Sequence, residues 1–361
     1  MDQQPRVRCL VCGKVKPGVA QALQVCPACI QQRYEQARPH LEAVHAGSRV
    51  EFNLPQSPPR AEGGVPCRLC ANECLLAEGE RGFCGLRTAR NSRLVHLAGT
   101  ARSGLLHWYR DPLPTNCVAA WVCSGGKQRG KHNLAVFYAA CTANCLFCQN
   151  WTYRQADPRR DKLTSAADLA SKANHSTHCV CFFGGDPSAQ MPHALMSAAR
   201  LSRRGVQVCW ETNGMMNSNS MQAACGYSLE SGGCIKFDLK AFDEGVHRAL
   251  TGVSNQRTLQ NFERCAQKFE SGRETPLVVA STLLVPGYVD AEQVRRIAAF
   301  IAAINPDIPY ALLAFAPNFY MPDLECTTVE QAQEAEQAAR QAGLRRVRIG
   351  NRHLLGLGFE V

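Results

Sequence analysis

From residue 131 onward the chain alternates short apolar runs with helical stretches, and that alternation leaves few folds open to it. The apolar runs lie at residues 133–138, 177–183, 205–210, 234–239, 277–285, 310–314 and 346–349. Helix signals separate them. Asp290 opens a run with apolar Val294, Ile297 and Ile301 that stops before Pro306, and Thr327 with Glu330 forms a capping-box pattern closed by Gly343. Strand and helix repeating in this order predict a parallel sheet with crossover helices. The expected fold class is α/β, with a partial (β/α)6-type TIM barrel over residues 131–361. Barrels of this kind gather their ligands at the carboxyl ends of the strands, so the residues just past each apolar run carry the functional expectation.

The first run is followed by Cys141-x-x-x-Cys145-x-x-Cys148. A four-iron cubane needs a ligand for each iron, so three compact thiols with no near fourth leave one iron open to another group. A zinc site that borrows a distant fourth ligand is the alternative, although zinc sites usually pair their ligands. Phe147 places an aromatic ring beside this loop. After the second run comes Gly184-Gly185-Asp186-Pro187, where glycines let backbone approach a ligand closely and Asp186 offers a carboxylate. Glu211-Thr212-Asn213-Gly214 follows the third run, Asp238-Leu239-Lys240 the fourth and Val285-Pro286-Gly287 the fifth. Alone, each reads as a turn or a surface pair. At five successive strand ends they form a constellation suited to the charged and hydroxyl parts of a cofactor.

Upstream, the cysteines divide the chain further. Cys9-x-x-Cys12 and Cys26-x-x-Cys29 supply four thiolates in a segment too short to fold on apolar burial alone, which predicts a zinc-ribbon or rubredoxin-like metal knot over residues 1–50. Residues 51–66 are rich in Pro and Gly and read as a linker. Residues 67–130 form a second cysteine-rich segment, in which Cys67, Cys70, Cys74 and Cys84 close one more site, for zinc or for an auxiliary iron–sulfur cluster. Cys117 and Cys123 either join a site or are simply buried.

The chain has 20 cysteines, and no apolar run approaches the roughly 20 residues of a membrane helix. Its first residues lack a secretory pattern, so the expected compartment is the cytoplasm, where cysteines read as metal ligands rather than disulfides. The net charge of +10 is scattered in short pairs such as Arg159-Arg160, which implies a mostly solvated surface with at most a mild attraction for anionic substrates and disfavours a nucleic-acid partner.

Over about residues 65–361 these motifs resemble the radical S-adenosylmethionine (radical SAM) superfamily, within it the glycyl-radical-enzyme activases of the pyruvate formate-lyase activating-enzyme type and their AmmeMemoRadiSam-type relatives. Cys141, Cys145 and Cys148 match the defining triplet. Gly184-Gly185-Asp186-Pro187 is similar to the Gly-Gly-Glu-Pro motif, and Glu211-Thr212-Asn213-Gly214 to Asp-Thr-Asn-Gly, each with its acid exchanged. Asp238-Leu239-Lys240, His247 and Thr251-Gly252-Val253-Ser254-Asn255 look like the activase pattern, and Cys67 to Cys84 with Gly82 and Arg87 look like the AmmeMemoRadiSam amino-terminal motif. Ala314-Phe315-Ala316-Pro317-Asn318 departs from the His-containing activase motif, and the first 50 residues fall outside the match.

The resemblance implies a [4Fe–4S] cluster on the triplet and S-adenosylmethionine on its open iron, cleaved reductively to a 5'-deoxyadenosyl radical that abstracts hydrogen from a substrate. Phe147, Gly184, Gly185, Asp186, Glu211, Asp238 and Lys240 would frame the cofactor. A low-potential donor of the flavodoxin or ferredoxin type would supply the electron. The substrate would be a protein site, a small molecule or RNA. The competing expectation is a protein that keeps its cluster without radical turnover and docks a partner through its metal knots; the polar groups at successive strand ends favour the enzyme.

Overall fold

The computed structural model describes residues 6–355. Residues 1–5 and 356–361, where the outermost limits of the expected first and last domains fall, lie outside the described residues, as does most of the amino-terminal pattern read for targeting. The central element is an eight-stranded sheet: β1 (Leu106–Pro112), β2 (His132–Tyr138), β3 (Thr177–Gly184), β4 (Gln207–Thr212), β5 (Ile235–Asp238), β6 (Val278–Leu284), β7 (Tyr310–Ala314) and β8 (Val347–Gly350). The strands lie in sequence order from β1 to β8, so β1 and β8 are free edges and the barrel is open. β2 to β8 run parallel, and β1 pairs antiparallel with β2 from Leu106↔Tyr138 to Pro112↔His132.

The seven apolar runs correspond to the seven parallel strands within two residues at each end, one more than the six-unit expectation. These strands are legible because they are buried on both faces. The edge strand β1 carries His107, Arg110 and Asp111, is largely open to solvent and shows no apolar run.

Two helices, α1 (Pro27–Gln32) and α2 (Tyr34–Val50), belong to the amino-terminal region. The crossovers are α3 (Ala166–Ser171), α4 (Met191–Ser202), α5 (Ser218–Ser231), α6 (Glu244–Thr251), α7 (Gln256–Ala266), α8 (Ala291–Ile304) and α9 (Val329–Gln341). Asp290 caps α8 by accepting from the Gln293 amide, as its position predicts. The capping box of α9 is Thr328 with Gln331, one residue past the expected Thr327 and Glu330. Thr327 is occupied elsewhere: its hydroxyl accepts from the Phe315 amide at 2.7 Å and donates to the Leu284 carbonyl at 2.8 Å, tying β6 to the end of β7.

Alternate strand residues divide the sheet into two faces. Val180, Phe182, Val208, Trp210, Ile235 and Phe237 point outward and pack with Ala194, Ala198, Val294 and Ile297 of the helices in the main core. Cys179, Cys181, Cys209, Glu211 and Lys236 line the concave side.

The amino-terminal region sits on the carboxyl ends of the later strands. The Tyr288 hydroxyl accepts from the Ala20 amide at 3.0 Å and donates to the Val25 carbonyl at 3.3 Å. A Cβ on Gly287 would lie 2.3 Å from the Gly18 carbonyl oxygen, so the two backbones touch only because residue 287 has no side chain. Residues 51–66 run along the second cysteine segment, with Leu75 and Ala61 amides bonding the Pro59 and Leu75 carbonyls at 3.0 Å. No described helix is long and apolar enough to cross a membrane.

Candidate metal and cofactor centre

The triplet loop leaves β2 at Tyr138 and is held from behind by backbone. Asn144 and Leu146 amides donate to the Thr251 and Leu250 carbonyls, at 2.8 and 3.0 Å, in the last turn of α6. The Asn144 side chain donates to Ser48 Oγ at 2.8 Å and to His45 Nδ1 at 2.9 Å, joining the loop to α2. Burial lowers the His45 pKa to about 4, so this imidazole is neutral, and its Nε2–H donates to the Ala249 carbonyl at 3.0 Å. His247 is likewise held neutral by burial and ties the following turn through Nδ1 and the Val253 carbonyl, 2.8 Å apart.

Burial pushes the Cys141 thiol up to about 12 and Cys145 up to about 11. As free thiols they are therefore neutral near pH 7, and a metal would be needed to hold them as thiolates. Beside them lies Arg154, 4% exposed. Its Nη1 donates to Asn144 Oδ1 and its guanidinium carbon lies 5.0 Å from the Phe319 ring centroid. Among the described residues its Nε and Nη2 have no partner. A buried cation with two unused donors next to three thiols fits an anionic cluster carried on those thiols.

The other strand ends divide into two groups. Asp186 is 3% exposed and accepts from the Asn213 amide at 2.6 Å, the Ser188 amide at 2.7 Å and the Thr212 hydroxyl at 3.1 Å. Burial pushes its carboxyl up to about 6 in spite of these bonds. Asn213 in turn donates to Thr142 Oγ1 at 3.0 Å and to Cys141 Sγ at 3.7 Å. Asp186, Asn213 and Cys141 thus form one chain of contacts. Gly184 and Gly185 serve the same joint: a Cβ on either would lie 2.3 to 2.6 Å from backbone of the β2 end, at Tyr138 N or Ala140 O. Their close approach is to the neighbouring strand.

The second group is Phe147, Asp238 and Lys240. Lys240 Nζ pairs with Asp238 Oδ2 at 2.9 Å and lies 5.6 Å from the Phe147 ring centroid. Glu211 stands apart from both groups. Its carboxylate turns into the concave side and pairs with Lys236 Nζ at 3.1 Å. Arg154, Asn144 and Asn213 were missed as individual site residues; only their places within or beside the quoted motifs marked them.

Cys9, Cys12, Cys26 and Cys29 bring their sulfurs within 4.8 Å of one another, and among the described residues no other group of three or more His, Cys, Asp or Glu does so. A tetrahedral ion with metal–sulfur bonds of about 2.3 Å spaces its thiolates by roughly 3.8 Å, so this set fits a single ion. Cys67, Cys70, Cys74 and Cys84 instead line a small cavity together with Arg87 and Ser188. Arg87 is 1% exposed; Nη1 donates to the Ala98 carbonyl at 2.7 Å, Nη2 to the Ala189 carbonyl at 3.0 Å, and Nε is unpartnered among the described residues. This segment docks against the triplet loop through Asn72 Nδ2 and the Thr142 carbonyl, 2.8 Å apart. Cys84 and Cys141 border one further cavity.

The Radical SAM superfamily model matches residues 135–301. An isethionate sulfite-lyase activating enzyme of Oleidesulfovibrio alaskensis is 32% identical over 137 residues, which are 38% of this chain and 41% of that protein. The pyruvate formate-lyase 1-activating enzyme of Escherichia coli is 26% identical over 164 residues, 43% of this chain and 61% of that protein. The chain thus spans between two fifths and about three fifths of these activating enzymes. An uncharacterized protein of Methanocaldococcus jannaschii is 22% identical over 302 residues, 80% of this chain and 81% of its own length. Among solved structures, a domain of a pyruvate-formate lyase-activating enzyme from Bacteroides vulgatus aligns over 48% of this chain and 99% of its own, with 22% identity and a TM-score of 0.38.

Proposed function

The chain carries a radical SAM domain, and on that premise we propose that it is an enzyme holding a [4Fe–4S] cluster on Cys141, Cys145 and Cys148, with S-adenosylmethionine on the iron those thiols leave open. The observation that carries this reading is Arg154, buried beside the triplet with two donors unused. Once bound, the group supplies one-electron cleavage of the sulfonium and a carbon radical that abstracts hydrogen from a substrate.

The remaining work belongs to the chain's own residues. Arg154 and Lys240 offset the negative charge of the thiolates. Phe147 offers a ring face, Asp238 a hydroxyl acceptor and Lys240 a donor to a carboxylate. Asp186 is a positioning residue, fixing Asn213 against Cys141. Gly184 and Gly185 let the β2 and β3 ends meet so that both loops face one mouth. Tyr288, Phe315 and Met321 pack with Phe147 beneath the amino-terminal knot, which keeps water from that side.

The second cysteine set, with its unpaired Arg87 Nε, suits an auxiliary iron–sulfur cluster, and the shared wall of Cys84 and Cys141 suits electron transfer between the two. The first set suits zinc. An external donor of the flavodoxin or ferredoxin class supplies the electron, and a cytoplasmic setting keeps the thiols reduced. A protein substrate is the reading suggested by the activating enzymes matched over the domain.

Reconstituted, reduced protein mixed with S-adenosylmethionine is expected to release 5'-deoxyadenosine, and Cys145→Ala to release none. Protein with its full iron content that makes no 5'-deoxyadenosine would leave only the docking role standing.

A further inference from the structure

Arg154 is held beside the cysteine triplet by aromatic rings as well as by its bond to Asn144. Its guanidinium carbon lies 5.0 Å from the Phe319 ring centroid and 6.0 Å from that of Phe52. Phe319 stacks on Trp151, with centroids 5.7 Å apart and planes at 16°, and Phe52 lies 6.1 Å from both rings. The rings come from three parts of the chain. Phe52 follows α2, Trp151 lies just past Cys148 and Phe319 lies beyond β7. All three are partly buried.

Phe319 takes this place against the preference of its backbone. Its φ is +54°, in the left-handed region that bulky side chains avoid. It is the first central residue of a turn in which the Met321 amide donates to the Asn318 carbonyl at 2.9 Å. Among the turn's central residues φ is positive at Phe319 and not at Tyr320, a pattern that favours glycine. The turn is also fixed to the triplet loop: the Tyr320 amide donates to the Leu146 carbonyl at 2.9 Å, between Cys145 and Cys148. Strained residues persist where their surroundings over-determine them, and they gather at functional sites. Glycine would satisfy the turn. A ring is needed only for what it touches, which is Arg154 and the aromatic side chains around it.

One bond from Nη1 to Asn144 leaves a guanidinium free to turn at the end of its long side chain. The ring contact removes that freedom and keeps the two unpartnered donors, Nε and Nη2, inside the protein. A cation held beside a cluster favours the reduced form, which carries one more negative charge.

We propose that Phe319 is a positioning residue: held in its left-handed turn, its ring pins the Arg154 guanidinium beside the triplet and so raises the reduction potential of the cluster bound there. This rests on the cluster reading of Cys141, Cys145 and Cys148.

Redox titration followed by EPR, without S-adenosylmethionine, reads the potential of the component that Cys145→Ala abolishes, and melting of cluster-free protein reads the structural cost. Phe319→Gly and Phe319→Asn both accept the left-handed backbone and remove the ring. Each is expected to lower the ratio of reduced to oxidised cluster about tenfold at a fixed solution potential, about 59 mV for one electron, while Phe319→Tyr keeps the wild-type ratio. In an Arg154→Met background the same substitutions are expected to shift the ratio no further. A ring that only fills space would lower the melting temperature and leave the potential unchanged. That result, or an equal shift with and without Arg154, overturns the proposal. So does failure of both ring-free variants to load a cluster that Arg154→Met still loads, which assigns Phe319 to folding. Wild type with no EPR component dependent on Cys145 would overturn the cluster reading itself, and this inference with it.

Discussion

Arg154 shows how a residue can matter through what it leaves unbonded. Burying a guanidinium with two idle donors costs about 1–3 kcal/mol per unsatisfied group, so the chain keeps it for something absent from the cluster-free fold. Arg154→Met should therefore raise the melting temperature of cluster-free protein while lowering the iron retained after reconstitution; a variant with lower melting temperature and normal iron would assign Arg154 a purely structural role. Asp186 titrates where it can be followed. Its folded-state pKa of about 6 lies above the ordinary value of 3.8. The folded protein thus holds this proton more tightly than the unfolded chain does, a contribution fully present below about pH 4 and lost as pH rises through 6. At about 1.4 kcal/mol per unit, wild type should lose roughly 3 kcal/mol across that window from this group. Urea titrations of cluster-free wild type and Asp186→Asn at stepped pH check it, and parallel pH profiles would refute the assignment. From sequence, Asp186 was legible as a site acid, but its partners were not, since bonds to the Ser188 and Asn213 amides leave no mark in residue type.

Among the elements, α6 and the turn after it take on a role that its motif did not announce. Thr251-Gly252-Val253-Ser254-Asn255 is similar to an activase motif with no role attached, and in the fold Thr251 and Leu250 carry the triplet loop on their carbonyls while Gly252 packs against α2. Gly252 has φ +71°, and a Cβ there would meet His45 Nδ1 at 2.9 Å. Gly252→Ala should cost about 1–3 kcal/mol and reduce cluster incorporation, as read by denaturant midpoint and iron content; a fully stable, fully loaded variant would show that α2 gives way freely. The parallel strands were visible because double-sided burial demands continuous apolar residues. β1 was not, because an edge strand with one partner can carry His107, Arg110 and Asp111. The α9 cap was misplaced by one residue because two adjacent threonines both fit the pattern, and only the tertiary bonds of Thr327 separate them.

For the whole molecule, the sequence marked three cysteine zones but not how they close on one another. The contacts that join them, such as the approach of Gly18 to Gly287 and the bond from Asn72 to Thr142, pair residues far apart in the chain, so no local pattern announces them. The amino-terminal knot depends on its four thiols and anchors on Tyr288 and Asp323, the latter accepting from the Gln21 amide at 2.7 Å. Cys9→Ser/Cys12→Ser should lose one metal per chain and expose residues before α2 to protease before the barrel is cut, a sequence of fragments that mass spectrometry can order. Simultaneous cutting throughout would mean that the knot is integral to the core. The loop holding Cys117 and Cys123 hangs from β1, one of the two edge strands with a single neighbour. Such a strand can peel away at a free-energy cost well below global unfolding. The concave side of the sheet then has a side door on a hinge: amides of residues 106–112 should exchange hydrogen faster than those of β3 to β5, while the remaining seven strands stay shut.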